Sequence, residues 1–164
     1  MRRLAPAIAI VAGILIADQL TKAWAVRNLA DGPIVLIDGF LALRLVYNPG
    51  AAFSSFQGLG PLIGVLAVAV TGWIVLMMRR TSRTVETLAL SLVLAGALGN
   101  LIDRAVRGDG FLDGAVVDFV DLWRIPTFNV ADAAITCGAV LLVWAALTSA
   151  RHHPEPGGDA PGDG

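Results

Sequence analysis

Cysteine and histidine are almost missing from this chain. The one cysteine, Cys137, lies inside an apolar run, so no internal disulfide can form, and a lone buried thiol ordinarily serves as packing. Both histidines, His152 and His153, stand side by side near the C-terminal end. A His/Cys metal centre needs three or four such ligands held together, so that class is set aside, and neither metal nor cofactor is expected. Charge is equally scarce, at 15% of residues with a formal net charge of −1. A polyanion would find little to hold, so nucleic acid is not an expected partner. What remains is apolar: 56% hydrophobic residues and a mean hydropathy of +0.73. That places the chain with integral membrane proteins.

Four apolar segments stand out, at 4–26, 60–78, 85–102 and 130–150. Each is close to the ~20 residues a helix needs to cross about 30 Å of hydrocarbon. The fold class expected is a membrane all-α bundle of four transmembrane helices carrying a small extracytoplasmic β-sheet. Arg2 and Arg3 ahead of an apolar stretch ending in Ala23-Trp24-Ala25 would also suit a cleavable signal peptide. Asp18 and Lys22 fall where such a peptide wants small neutral residues, and three further spans follow, so the first segment is read as a span. Arg79, Arg80 and Arg83 fill the short connection between spans two and three, Arg2 and Arg3 flank the start of span one, and Arg151 follows span four. The positive-inside rule then puts both termini in the cytoplasm. Arg27, Arg44, Arg104, Arg107 and Arg124 would lie outside, which a functional site there would explain.

Two segments therefore face outward. Residues 27–59 are β-favouring, with Asp38-Gly39 as a hairpin signal, and run into a flexible loop, "NPGAAFSSFQGLG". Residues 103–129 form the second, with Gly108, Gly110 and Gly114 breaking any long helix. Residues 1–150 read as one membrane-embedded domain, followed by a disordered cytoplasmic tail over 151–164.

Three polar groups stand at membrane depth. Asp18 and Lys22, four apart, share a helix face and can pair. Asn100, Asp103 and Arg104 share a face at the outer end of span three, where they either meet water or donate to a bound backbone or anionic headgroup. The small residues of "AGALGN" beside them let helices approach closely. Asn129 and Asp132 have the spacing of a helix cap. Asp118 has no such explanation. It sits in "AVVDFVDLW" between Val117 and Phe119, where an unpaired carboxylate is costly or takes up a proton. Two carboxylates brought together can share one proton, leaving one base and one acid. The spacing permits Asp118 and Asp132 to meet without requiring it.

These segments, in this order, resemble the lipoprotein signal peptidases (signal peptidase II), bacterial membrane aspartic peptidases. The matching stretches are "DQLTK" at 18–22, "YNPGAAFS" at 47–54, "GALGNLIDR" at 96–104, "VVDF" at 116–119 and "FNVADAAI" at 128–135. The resemblance implies a catalytic dyad of Asp118 and Asp132, substrate-binding roles for Asn48, Asn100, Arg104 and Asn129, and supporting roles for Asp18, Lys22 and Asp103. It implies a monomer among membrane lipids of the bacterial cell membrane, its site near the extracytoplasmic face. The implied substrate is a diacylglyceryl-modified prolipoprotein, cut just before its lipidated lipobox cysteine.

Other chemistries use some of the same residues. A metal-dependent transferase would gather Asp103, Asp118, Asp121 and Asp132 around Mg²⁺ and would fail on chelation. A transporter or proton relay would use Asp18, Lys22 and Asp132, but wants charges near the bilayer midplane rather than at one face. A purely structural membrane subunit leaves the outer polar cluster without a purpose.

Overall fold

A computed structural model describes residues 4–50 and 60–150. Its elements run α1 (Leu4–Asn28), β1 (Ile34–Ile37), β2 (Leu41–Asn48), α2 (Gly60–Arg80), α3 (Thr84–Val106), β3 (Val116–Leu122), β4 (Ile125–Phe128) and α4 (Val130–Ala150). All four helices are long and apolar enough to cross a membrane. Their outward faces carry Ile8, Leu20, Trp73, Val140 and Leu147, all exposed, as lipid-facing sides require. The flexible loop expected over 50–60 and the tail expected from 151 fall largely or wholly outside the described residues.

α3 is the centre of the bundle and packs against each of the other helices. Its contact with α4 is a backbone contact. A Cβ on Gly96 would fall 2.3 Å from the Ala131 carbonyl oxygen, and one on Gly138 would fall 2.7 Å from that of Ala89. Lipid tails are as apolar as leucine, so helices in a bilayer associate through such close packing of small residues. The close approach expected of the small residues in "AGALGN" is seen at Gly96. Cys137 does not behave as expected: it is exposed on α4, because the helix turns its small residues inward and leaves position 137 on the outer face.

Two features differ from the reading of the sequence. α3 continues past Ile102 to Val106, so Asp103 and Arg104 belong to its last turns rather than to a connecting segment. The helix can continue because Asp103 is neutralised inside the protein rather than solvated. The second difference concerns the sheet. β1 and β2 form the hairpin signalled by Asp38-Gly39, with Gly39 at φ 67, but the sheet does not stop there. β3 and β4 join it, giving one antiparallel sheet in the order β1-β2-β3-β4. The first half of β3, Val116 to Phe119, is buried on both faces, which is why it reads as an almost unbroken apolar run. Phe119 packs onto Ala25 of α1 and Leu29 just beyond that helix and so seats the sheet against the bundle.

Candidate active site

The sheet end of the bundle holds nearly all the buried polarity. Asp18, Lys22, Asp103, Asp118 and Asn129 are each at most 1% exposed, and Arg104 is 7% exposed. Buried charge on this scale is retained only where partners satisfy it.

Asp118 is delivered by strand pairing. β2 and β3 align Val46 with Asp118 and Asn48 with Val116, so Asn48 lies on the face of Asp118, one diagonal step away. Its Nδ2 donates to Asp118 Oδ2 at 2.9 Å, while its Oδ1 accepts from the Gly50 amide at 2.9 Å. Asp132 is delivered by helix geometry. Asn129 caps α4, accepting from the Asp132 amide at 2.9 Å, and its own amide donates to Asp132 Oδ2 at 3.2 Å. This is the reciprocal capping box that the spacing predicted.

Asn129 joins the two. Its oxygen is committed to the α4 cap, so its Nδ2 must face the other way, where it donates to Asp118 Oδ1 at 2.7 Å and to Val117 O at 3.2 Å. Asn100 repeats the logic. Its Oδ1 accepts from Lys22 Nζ at 3.0 Å, and its Nδ2 donates to Asp132 Oδ1 at 2.8 Å. Three asparagines thus each hold a donor with the oxygen and present an N–H to a carboxylate. Asp118 lies outside the spans, and burial pushes its carboxyl up to about 6. The Asn48 hydrogen bond opposes that rise, the nearby Asp132 charge adds to it, and the Asn129 hydrogen bond and Lys22 pull it down.

Behind the pair lies an ionic hub. Lys22 Nζ is 2.9 Å from Asp18 Oδ2 and 3.0 Å from Asp103 Oδ2. The local pair expected from the sequence is therefore part of a larger set. Asp18 Oδ1 also accepts from the Ala131 amide at 2.9 Å, at the positive end of α4. Asp103 accepts from the Val117 amide at 3.0 Å and from Arg107 Nε at 3.0 Å. Each carboxylate of the hub holds the backbone next to one member of the Asp118–Asp132 pair. Gly99 makes this possible, since a Cβ there would fall 2.6 Å from Asp18 Oδ2.

Arg104 lies beside the network, its Nη1 3.5 Å from Gly114 O. Its Nη2 lies close under Gly50, 3.8 Å from where a Cβ would be. Asp121 stands apart on the surface, 3.2 Å from Arg44, so the four carboxylates of a magnesium site do not converge. Gln19 was not singled out as a site residue. Its Nε2 donates to Asp18 Oδ2 at 3.1 Å and to Gly99 O at 3.2 Å. A glutamine at membrane depth beside Asp18 is a signal that could have marked it.

Four apolar helices of spanning length, with a buried carboxylate–amide centre at their sheet-bearing end, define a multi-pass membrane enzyme. Two solved structures described as bacterial membrane enzymes superpose on the chain. One has a TM-score of 0.79 at 28% identity over 93% of each chain, the other 0.78 at 30% identity over 88% of this chain and 94% of its own. The family model described as signal peptidase (SPase) II matches residues 10–148, and the chain belongs to that family of aspartic peptidases. Among its relatives is a lipoprotein signal peptidase of Rhodococcus jostii, 48% identical over 136 residues, which are 82% of this chain and 69% of that protein. Those of Bifidobacterium longum (43% identical, 86% of this chain and 78% of theirs) and Azoarcus sp. (36%, 95% and 90%) are similar too.

Proposed function

We propose that the chain is a membrane aspartic endopeptidase that removes the signal peptide from diacylglyceryl-modified prolipoproteins, cutting before the lipidated lipobox cysteine. Asp118 and Asp132 are its catalytic pair. The observation that carries this reading is the meeting of the two aspartates on Asn129, where separate strand and helix devices bring them into one site.

A water held by the pair loses a proton to one carboxylate as its oxygen attacks the scissile carbonyl carbon. The other aspartate then gives its proton to the leaving amine nitrogen as the carbon–nitrogen bond breaks. The products are the free carboxyl group of the signal peptide, which keeps the second proton of the water, and the amino group of the lipidated cysteine, and the pair ends with the one shared proton it began with. The reaction uses a carboxylate-activated water and no covalent intermediate. The substrate-binding roles implied for Asn100 and Asn129 become indirect, since both amides are spent on orienting aspartates. Asn48 and Arg104, beside the Gly50 connection, remain the groups placed to meet substrate.

The positive-inside pattern puts both termini, and the Arg79–Arg83 turn, in the cytoplasm. The sheet and the pair then lie near the extracytoplasmic face of the bacterial cell membrane. A lipidated cysteine is anchored at that interface, so a signal helix entering from the bilayer brings its scissile bond to the pair. Residues 1–150 act as one monomeric peptidase domain.

The test is cleavage of a diacylglyceryl prolipoprotein by purified protein. Asp118→Asn and Asp132→Asn should each lower turnover by about 10²–10⁴-fold or more, the range for loss of a general acid or base. Near wild-type turnover in either variant overturns the pair. Loss of activity on chelation would point instead to a hard cation.

A further inference from the structure

The end of the bundle away from the sheet carries a second polar arrangement, which the reaction does not use. α3 and α4 touch through small residues as far as Ala89 and Gly138. Beyond that contact, the start of α3 and the last turns of α4 flank a cleft of about 360 Å³. Its apolar lining is Val85 on one side with Trp144 and Ala145 on the other. Its polar lining includes Arg83, Glu86 and Ser149, and Arg83 is the one basic residue among them. Trp144 is exposed, less than two turns before α4 ends at Ala150. An indole at that depth of a spanning helix lies where hydrocarbon gives way to headgroups.

Arg83 is braced rather than loose. Its Nη1 donates to Ser149 Oγ and lies 3.6 Å from Glu86 Oε1, and Glu86 in turn accepts from Thr81 Oγ1. A guanidinium has five N–H donors in one plane, so two such contacts orient the fork and leave donors over. Charge at this end is unbalanced as well. Among the described residues it carries Arg79, Arg80 and Arg83 against Glu86 alone.

A water-soluble phosphate ester would leave the apolar lining of this cleft uncovered. A zwitterionic lipid would leave the surplus positive charge unmatched. A lipid with an anionic phosphate answers both, since the arginine fork matches phosphate and an acyl chain covers Val85 and the Trp144 ring. We propose that this cleft binds an anionic glycerophospholipid, with Arg83 on the phosphate and Trp144 against the chain. Such a lipid bridges the start of α3 and the end of α4, and by binding the folded state it stabilises the bundle. Trp144 lies about 18 Å along α4 from Asp132 at 1.5 Å per residue, so the cleft and the catalytic pair are separate places.

The experiment follows the melting temperature of the full chain in uncharged detergent as phosphatidylglycerol, or phosphatidylcholine with the same acyl chains, is added. The expected result is a saturating rise with phosphatidylglycerol and little change with phosphatidylcholine. Arg83→Gln should raise the half-saturating lipid fraction by about 10-fold or more, the scale for losing charge-assisted hydrogen bonds to a phosphate. Arg79→Gln combined with Arg80→Gln removes twice the charge outside the cleft and should raise it by less than about 3-fold, because exposed charge is screened. Trp144→Ala should also weaken the response, and soluble glycerol phosphate should produce none. An absent rise in the wild type overturns the proposal. So does an equal response to phosphatidylcholine, or an equal loss in the Arg79 and Arg80 variant, since either is diffuse attraction to the headgroup layer. A rise with glycerol phosphate alone assigns the cleft to a free phosphate ester and overturns the lipid. Should Arg83→Gln not fold, Arg83→Lys keeps the charge but loses the planar fork, and an unchanged half-saturating fraction there counts against the site. Melting reads the cleft and cleavage reads the pair, so failure of one is visible apart from failure of the other.

Discussion

Asn129→Asp changes one atom's chemistry at the point where the two aspartates meet. Aspartate is as good an N-cap as asparagine, so the contact that accepts from the Asp132 amide at 2.9 Å survives, and α4 keeps its start. The damage is on the other side. Where Nδ2 donated to Asp118 Oδ1 at 2.7 Å, to Val117 O at 3.2 Å and to Asn100 Oδ1 at 3.2 Å, an oxygen now faces three acceptors. Two carboxylate charges about 4 Å apart repel by about 4 kcal/mol at an effective dielectric near 20. That repulsion corresponds to about 3 pH units, so the new group should hold a proton until near neutral pH. The sign follows. A carboxyl whose folded value is raised favours the fold while protonated, and that contribution is lost as pH rises through the folded value. Asn129→Asp should therefore melt near wild type in detergent at about pH 5 and several kcal/mol weaker at about pH 8. Turnover at the higher pH should fall by at least about 100-fold, because the proton-transfer geometry is lost with the hydrogen bond. Wild-type turnover and an unchanged melting profile at alkaline pH would refute the bridging role of Asn129.

Two further outcomes follow from the same geometry. Asp118 is pushed up to about 6, chiefly by burial, so its protonated form favours the fold; that contribution is complete below about 3.8 and lost as pH rises through about 6. A shift of about two units is worth about 3 kcal/mol, so Asp118→Asn should flatten the decline in melting temperature between about pH 4 and about pH 7, and an equal decline in both proteins would contradict the assignment. Gly96→Ala puts a Cβ 2.3 Å from the Ala131 carbonyl oxygen and should cost about 1–3 kcal/mol, whereas Gly13→Ala, with nothing within 4 Å, should stabilise α1 by about 0.5–1 kcal/mol. Detergent melts that rank the two variants the other way would refute the close α3–α4 packing.

The parts legible in the sequence share a physical property: short range. Apolar runs gave the four spans because a bilayer crossing requires ~20 apolar residues whatever the rest of the chain does. The Asp18–Lys22 pair and the Asn129–Asp132 cap were visible because helix geometry places residues three and four apart side by side. The same rule misjudged the end of α3. Hydropathy stops at Ile102, and nothing local says that Asp103 will be neutralised by Lys22, from a different helix.

The sequence by itself determined the spans, the cap, the hairpin at Gly39 and, through the ordered motifs, the family to which the chain belongs. Tertiary structure alone decided which groups meet. Asp18 reaches the Ala131 amide across 113 positions, and Asn48 reaches Asp118 across 70. The second contact depends on strand register, and a slip of one residue would turn Asp118 to the opposite face of the sheet. That register is set by burying both faces of β3 against α1 and the bundle, a property of the assembled fold and of no single stretch of chain. Local spacing can place a carboxylate on a helix or a strand. Only packing gives it a partner.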